Sequence, residues 1–337
     1  MKTTFPDNNI FDQACNQAIA LLGIQRSVME LPAEPIVLVG FSGGPDSLFL
    51  LKVFKHLSDR GFCRVVALHL DHGWRPESAE EAIWCQKAME LLKVDGVIAH
   101  ARDLVDRVPE ESSQEAYGRA MRRTFYEDML TSFDAHLIAL GHHFDDQVET
   151  FLIRLMRGSS LDGLCGTKEL DDVYVRPLLW LRKQDIVTYL DEKKIAYLTD
   201  PSNESDLYLR NRLRNNVIPA LAACDDRFYK NFESTLQHLR ADNLYLDELA
   251  DTAADKIFRF DEDKQRSIGT VSHLSVDGVL LNRILLHWLI DDGVQFTPSA
   301  GFFAEIAKFL LTDRGGSHTI SPTDKIMKKN GRFWIEN

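Results

Sequence analysis

Pro35-Ile36-Val37-Leu38-Val39-Gly40-Phe41-Ser42-Gly43-Gly44-Pro45-Asp46-Ser47 reads as a short apolar strand that stops at a glycine-rich turn, after which residues 47–57 return to helical periodicity. Two glycines let the backbone approach a ligand, and the serine hydroxyls add donors. A helix N-terminus behind them supplies oriented N–H groups and a positive dipole end. The stretch is a phosphate cradle. It lacks the Gly-Lys-Ser/Thr ending of a Walker A loop and the Gly-x-Gly-x-x-Gly spacing of a dinucleotide site. Asp46 repels phosphate, so either Mg²⁺ stands between the two or the carboxylate caps the helix. Pro45 has no N–H to offer, but its fixed φ suits a first helical turn.

Outward from this turn the pattern repeats. Apolar β-type runs at 65–70, 97–100 and 135–140 are separated by helical stretches at 77–92, 112–132 and 146–157, and a helix at 9–28 precedes them all. Strands without alternation, separated by helices, predict an α/β fold with a parallel sheet covered on both faces. Such sheets bind ligands beyond the carboxyl ends of their strands. From about residue 216 the β pattern is lost, and 228–256, 274–290 and 302–311 read as helices. Asn330-Gly331, flanked by 325–328 and 332–335, is a hairpin signal. The expected division is an α/β domain over 1–215 and a mainly helical domain over 216–337 with a small terminal β element.

The 39 Lys and Arg face 51 Asp and Glu, a net charge of −12, so any nucleic-acid contact must rest on local basic patches. One lies between 307 and 332, where Lys308, Arg314, Lys325, Lys328, Lys329 and Arg332 outnumber Asp313 and Asp324. The same lysines suit a protected edge strand equally well. No run approaches the roughly 18 apolar residues of a membrane span, and the start lacks a signal-peptide pattern, which points to the cytoplasm. Five cysteines, the nearest two being Cys63 and Cys85, form no Cys-x-x-Cys pair and read as packing thiols.

Two further strand ends are polar, His69-Leu70-Asp71-His72-Gly73-Trp74-Arg75 and Gly141-His142-His143-Phe144-Asp145-Asp146-Gln147-Val148-Glu149-Thr150. Adjacent ligands such as His142, His143, Asp145 and Asp146 seldom converge on one metal ion. Asp146 and Glu149, three apart at a helix start, share a face, and two carboxylates together suit an ammonium ion.

The Ser-Gly-Gly-x-Asp-Ser loop resembles that of the PP-loop ATP pyrophosphatases, which implies ATP, adenylation chemistry and pyrophosphate release. Ser42, Gly43, Gly44, Pro45, Asp46 and Ser47 would hold the nucleotide, with Asp71 and His143 beside it and Asp46 the Mg²⁺ ligand. The stretch at 142–150 and Leu152-Ile153-Arg154-Leu155-Met156-Arg157-Gly158-Ser159 resemble the tRNA-isoleucine lysidine synthetase family. So do Arg176-Pro177-Leu178-Leu179, Asp200-Pro201-Ser202-Asn203 and Arg210-Asn211-Arg212-Leu213-Arg214, the likeness spanning about 34–221. In that family ATP activates carbon-2 of the wobble cytidine of an isoleucine tRNA with a CAU anticodon, and free L-lysine then displaces AMP. The resemblance implies that Asp146 and Glu149 hold lysine, that Asp46, Arg122, Asp146, Glu149 and Arg214 form the catalytic set, and that tRNA meets Arg119, Arg210, Arg212, Lys325, Lys328 and Lys329. Glu115-Ala116-Tyr117-Gly118-Arg119-Ala120-Met121-Arg122-Arg123 follows the family pattern except for Gly118 at the usual alanine and Arg123 at the usual tyrosine. The rival readings are a PP-loop tRNA thiolase, a GMP- or NAD-synthetase relative, and a non-catalytic RNA-binding module. The oligomeric state is left open, a homodimer included.

Overall fold

The computed structural model describes residues 5, 9–109, 113–199, 208–297 and 299–336; the Asp200–Asn203 motif falls outside them. Two compact units divide the chain, Met1–Phe232 and Glu233–Asn337.

The first unit opens with α1 (Ile10–Met29), capped by the Asn9 side chain, which accepts from the amides of Phe11 and Asp12. There follow β1 (Ile36–Gly40), α2 (Pro45–Ser58), β2 (Arg64–Asp71), α3 (Ser78–Leu92), β3 (Asp95–His100), α4 (Gln114–Ser132), β4 (Leu137–Ala139) and α5 (Phe144–Met156). A short α6 (Leu161–Leu164) leads into the hairpin β5 (Leu170–Asp171) and β6 (Tyr174–Val175), and then α7 (Lys183–Glu192). The sheet order is β3-β2-β1-β4-β6-β5, parallel except for the β5 edge. Val37 and Val39 of β1 face α1, α2 and α7, while Leu38 faces Met121 and Phe125 of α4. Both faces are therefore dry, which is why the strands show no polar alternation. The strand order reverses at β1, leaving the crevice between the carboxyl ends of β1 and β4.

Beyond α7 come α8 (Leu209–Arg212), a π-helical turn at Leu213–Val217, and α9 (Ile218–Cys224). Pro219 explains the widened turn, since it has no N–H for the carbonyl four residues back and its ring would collide there. The first unit runs past the expected 215/216 boundary because Ile218, Phe228, Tyr229 and Phe232 pack on Phe144 and Val148 of α5.

α10 (Phe228–Ile257) continues into the second unit. It is followed by β7 (Phe258–Asp261), β8 (Arg266–Thr270), α11 (Gly278–Asp291), α12 (Ala300–Leu311), β9 (Gly316–Thr319), β10 (Lys325–Lys329) and β11 (Arg332–Glu336). The β element is larger than expected, a five-stranded antiparallel sheet in the order β7-β8-β11-β10-β9. Three of its strands, β7, β8 and β9, were not expected: β7 starts at the residue after the helix ends, with no turn residue between, and β9 starts at the Gly315-Gly316 break. The Asn330-Gly331 hairpin forms as expected, both residues in the left-handed region at φ 52° and 73°. Phe333 lies across the sheet from Gly269, where a Cβ would come within 2.1 Å of the ring, and the Phe333 ring meets Trp288 edge to face at 5.2 Å.

One expected tRNA contact is corrected here. Lys328 is buried, and its ammonium donates to the carbonyls of Leu310 (2.6 Å) and Thr312, closing the C-terminal end of α12. Its partners are orphan helix carbonyls that a cation satisfies well. Lys325 and Lys329 stay exposed. Replacing Lys328 with Met should therefore destabilise the second unit by about 1–3 kcal/mol, the cost of leaving buried acceptors unpaired. Denaturant titration followed by tryptophan fluorescence measures this, and an unshifted midpoint would show the cap to be dispensable.

Candidate active site

The cradle is held from behind by β2: the Phe41 amide donates to Leu68 O at 2.8 Å, and His69 Nδ1 donates to Phe41 O at 2.9 Å. Within it, Ser47 Oγ donates to Gly44 O (3.0 Å), accepts from Ser42 N (3.1 Å) and lies 3.1 Å from Ser42 Oγ. The two glycines differ in purpose. Gly43 has φ +82°, and a Cβ on it would lie 2.6 Å from Leu198 Cδ1 and 2.9 Å from Cys85 Sγ, so the fold itself demands glycine. Gly44 opens α2 with φ −69° and ψ 165°, and a Cβ would meet only Ser42 Oγ at 3.6 Å. Nothing in the fold requires glycine there; the open face is the one an anion would approach.

Asp46 does not cap α2, which has no side-chain cap. Its Oδ1 is buried without a hydrogen-bond partner, and its Oδ2 lies 3.6 Å from Lys183 Nζ and 3.7 Å from His143 Nε2. Lys183, at the start of α7, is an addition to the sequence-derived set; no spacing rule links position 183 to position 46. His143 is almost fully enclosed among Asp46, Asp145 and Asp146, at 3.6–3.7 Å from an oxygen of each. Asp145 accepts from Arg182 Nε (3.1 Å) and from the Lys183 amide (2.8 Å), tying α7 to α5, while the Arg182 guanidinium lies 3.2 Å from the Tyr229 ring centroid.

Asp146 and Glu149 do share a face of α5, but they do not form an open acidic pair. Glu149 is 0% exposed, and its two oxygens accept from Arg210 Nε (2.5 Å) and Arg214 Nε (2.6 Å). Asp146 accepts from the His143 amide (2.9 Å) with one oxygen and from Arg210 Nη2 (3.2 Å) with the other. Burial pushes the Asp146 pKa up, yet the surrounding His143, Arg210 and His142 outweigh it and hold the carboxyl below its usual value. Burial alone would lower the Arg210 and Arg214 pKa values, but their carboxylate partners, Glu149 and Asp146, raise them. A buried carboxylate needs this pairing, because an isolated charge there would cost several kcal/mol. Glu115 of α4 approaches the same cluster, 3.8 Å from Arg210 Nη1.

Other motif residues build the surroundings. Gln147 exchanges hydrogen bonds with Thr167 N and O at 2.7 Å each, Arg154 reaches Gly163 O at 2.5 Å, and Arg176 donates to Lys168 O at 2.9 Å. Asp71 accepts from Gly73 N (2.8 Å) and faces His100 Nδ1 (3.1 Å), so it organises the turn after β2; Arg75 pairs with Glu81. On α4, Arg122 donates to Gly118 O and Arg119 pairs with Glu115 at the surface, while Arg212 is exposed on α8. Cys15, Cys63 and Cys85 are buried, and desolvation pushes their thiols up to about 12.

A parallel sheet whose first strand feeds a Ser-Gly-Gly-x-Asp-Ser cradle, with basic and acidic side chains gathered at the next strand end, defines a phosphate-binding α/β domain. The PP-loop domain family matches residues 20–221, and the chain belongs to it. Among curated proteins, a tRNA(Ile)-lysidine synthase of Bacillus thuringiensis subsp. konkukian is 33% identical over 293 residues, 83% of this chain and 60% of that protein. One from Geobacillus kaustophilus is 35% identical over 230 residues, 66% of this chain and 49% of that protein. The chain thus spans about half to 60% of the length of these relatives. A solved U34-tRNA thiolase, NcsA from Methanococcus maripaludis with its [4Fe-4S] cluster, shares the fold with TM-score 0.52 at 19% identity, over 68% of this chain and 80% of that one.

Two outcomes follow. Gly43→Ala should lower stability by about 1–2 kcal/mol from the left-handed φ alone, whereas Gly44→Val should keep the melting temperature and lose ATP turnover; retained turnover would remove the cradle assignment. His72 and His142 are pulled from 6.5 down to about 4, chiefly by burial. The unfolded chain therefore binds protons that the folded one refuses between those values, so stability is full above pH 6.5 and falls toward pH 4. Melting temperature against pH checks this, and His142→Gln should flatten the slope.

Proposed function

We propose that the chain uses ATP to join free L-lysine to carbon-2 of the wobble cytidine in an isoleucine tRNA with a CAU anticodon, releasing AMP and pyrophosphate. The observation that carries this reading is the ion-paired set of Asp146, Glu149, Arg210 and Arg214 beside the cradle, supported by the identity with lysidine synthases over most of the chain. The fold alone is shared with a tRNA thiolase, but here three of the five cysteines are packing residues, Cys85 lying under the Gly43 turn. No helix among the described residues is long and apolar enough to cross a membrane, and a cytoplasmic enzyme fits the tRNA substrate.

In the first step the cytidine carbon-2 oxygen attacks the α-phosphorus and pyrophosphate leaves into the cradle. Ser42, Ser47 and the α2 N-terminus bind the leaving oxygens, and Lys183 offsets their charge. The orphaned Oδ1 of Asp46 fits a Mg²⁺ ligand, and Asp46 would hold the ion. Mg²⁺ bound there would supply charge neutralisation on the phosphates. Arg122 and Arg214 would face the phosphoryl group.

In the second step the lysine ε-amine displaces AMP. Free lysine carries its ammonium at neutral pH, with a reference pKa of about 10.4, and must lose a proton to attack. Asp146 and Glu149 are the acceptors at hand, and Arg210 and Arg214 are their ion-pair partners. Lysine capture is therefore an exchange: the arginines turn toward the new phosphate charge and the ammonium takes their place on the carboxylates. Outside this centre, exposed Arg119, Arg212, Lys325 and Lys329 are the proposed tRNA contacts.

Incubation with labelled lysine, ATP and unmodified isoleucine tRNA tests the assignment directly. Glu149→Gln should form adenylated tRNA at near-normal rate and stall before lysine transfer, raising the lysine requirement about tenfold or more. Arg214→Gln should instead slow adenylation about a hundredfold. Because the two residues touch each other, equal failure of both variants at both steps would reduce the set to a structural ion pair.

A further inference from the structure

Trp74 follows the turn at the end of β2 and is 43% exposed, although one face of its indole is covered. That face stacks on His72, with ring centroids 4.4 Å apart and 23° between planes. The ring edge is pressed against α4 at Gly118: a Cβ there would stand 2.5 Å from Cη2, so the glycine makes room for the indole. Desolvation, aided by the Arg122 charge, holds the His72 ring neutral down to about pH 4, so the stack stays an uncharged aromatic pair at working pH. Gly118 is followed on α4 by Arg119, Arg122 and Arg123. Arg119 is mostly exposed and pairs with Glu115 one turn away, while Arg123 pairs with Glu127 and also meets the Tyr174 and Asp171 side of the β5–β6 hairpin. Such pairs are weak and yield readily to a polyanion.

An aromatic face locked from behind and flanked by arginines on the adjacent helix is the arrangement that takes an unpaired base together with its backbone phosphates. Resting on the tRNA reading above, we propose that the outer face of Trp74, backed by His72 and seated by Gly118, stacks an unpaired base of the tRNA anticodon loop at the rim of the active site. Arg122, whose charge reaches His72, and exposed Arg119, next to Gly118 on α4, favour a nucleic-acid strand over the adenine of ATP, whose phosphates already have the cradle. The role is positioning: the stack orders the loop so that the target cytidine enters.

The test uses the full chain, an unmodified isoleucine tRNA transcript, and Trp74→Ala, Trp74→Phe and Gly118→Ala. Stacking predicts that Trp74→Ala weakens tRNA binding about tenfold or more, with the KM for ATP and the melting temperature unchanged. Trp74→Phe should restore most of the affinity. Gly118→Ala, which displaces the indole without removing it, should reproduce the defect. Unchanged tRNA affinity in Trp74→Ala would overturn the proposal, as would a raised KM for ATP with normal tRNA binding, which would assign the ring to adenine. A wild-type chain that fails to bind this tRNA at all would overturn the tRNA reading itself, a result distinct from equal binding by wild type and variant.

Discussion

Glu149 has no exposure to water, and burying a carboxylate costs several kcal/mol unless an opposite charge is paired with it, a condition that shapes the first unit. Arg210 and Arg214, contributed by a segment more than sixty residues further along the chain, supply it. The demand explains why α8 and the π-helical turn lie against α5, and Pro219 explains how the turn widens at Arg214. The apolar contacts of Ile218 and Phe232 with Phe144 and Val148 then hold the segment down without relying on the ion pairs for adhesion. Buried ion pairs add little net stability; what they contribute here is placement of four charged groups at one strand end.

The cradle is constrained in a different way. Its backbone is fixed by neutral hydrogen bonds from β2 and within the turn, and its one left-handed residue is wedged over Cys85 and Leu198. Such a backbone is preorganised for an anion. The acid–arginine cluster is the opposite case, for its charged groups satisfy one another. A fixed turn beside a cluster of paired charges suits the two-step reaction proposed above.

The second unit shows how one charge can carry either of two meanings. Lys325, Lys328 and Lys329 look alike in the sequence, yet only Lys328 turns inward to close α12. Its position on the same strand face as Ile326 was a signal, since alternate residues of a strand share a side.

Residues 35–47 alone determine the strand, the turn and the helix, because an apolar run, two adjacent glycines and a proline at the helix start are local instructions acting within a few residues. The parallel sheet and the hairpin at Asn330-Gly331 were legible for the same reason. Local pattern also placed Asp146 and Glu149 on one helical face. It could not show that arginines 61 to 65 residues away fill that face, that Lys183 stands beside Asp46, or that Gly118 is a glycine because Trp74 needs its space. Those facts depend on which surfaces the packed sheet brings together, and separation along the chain carries no information about distance once the core has closed.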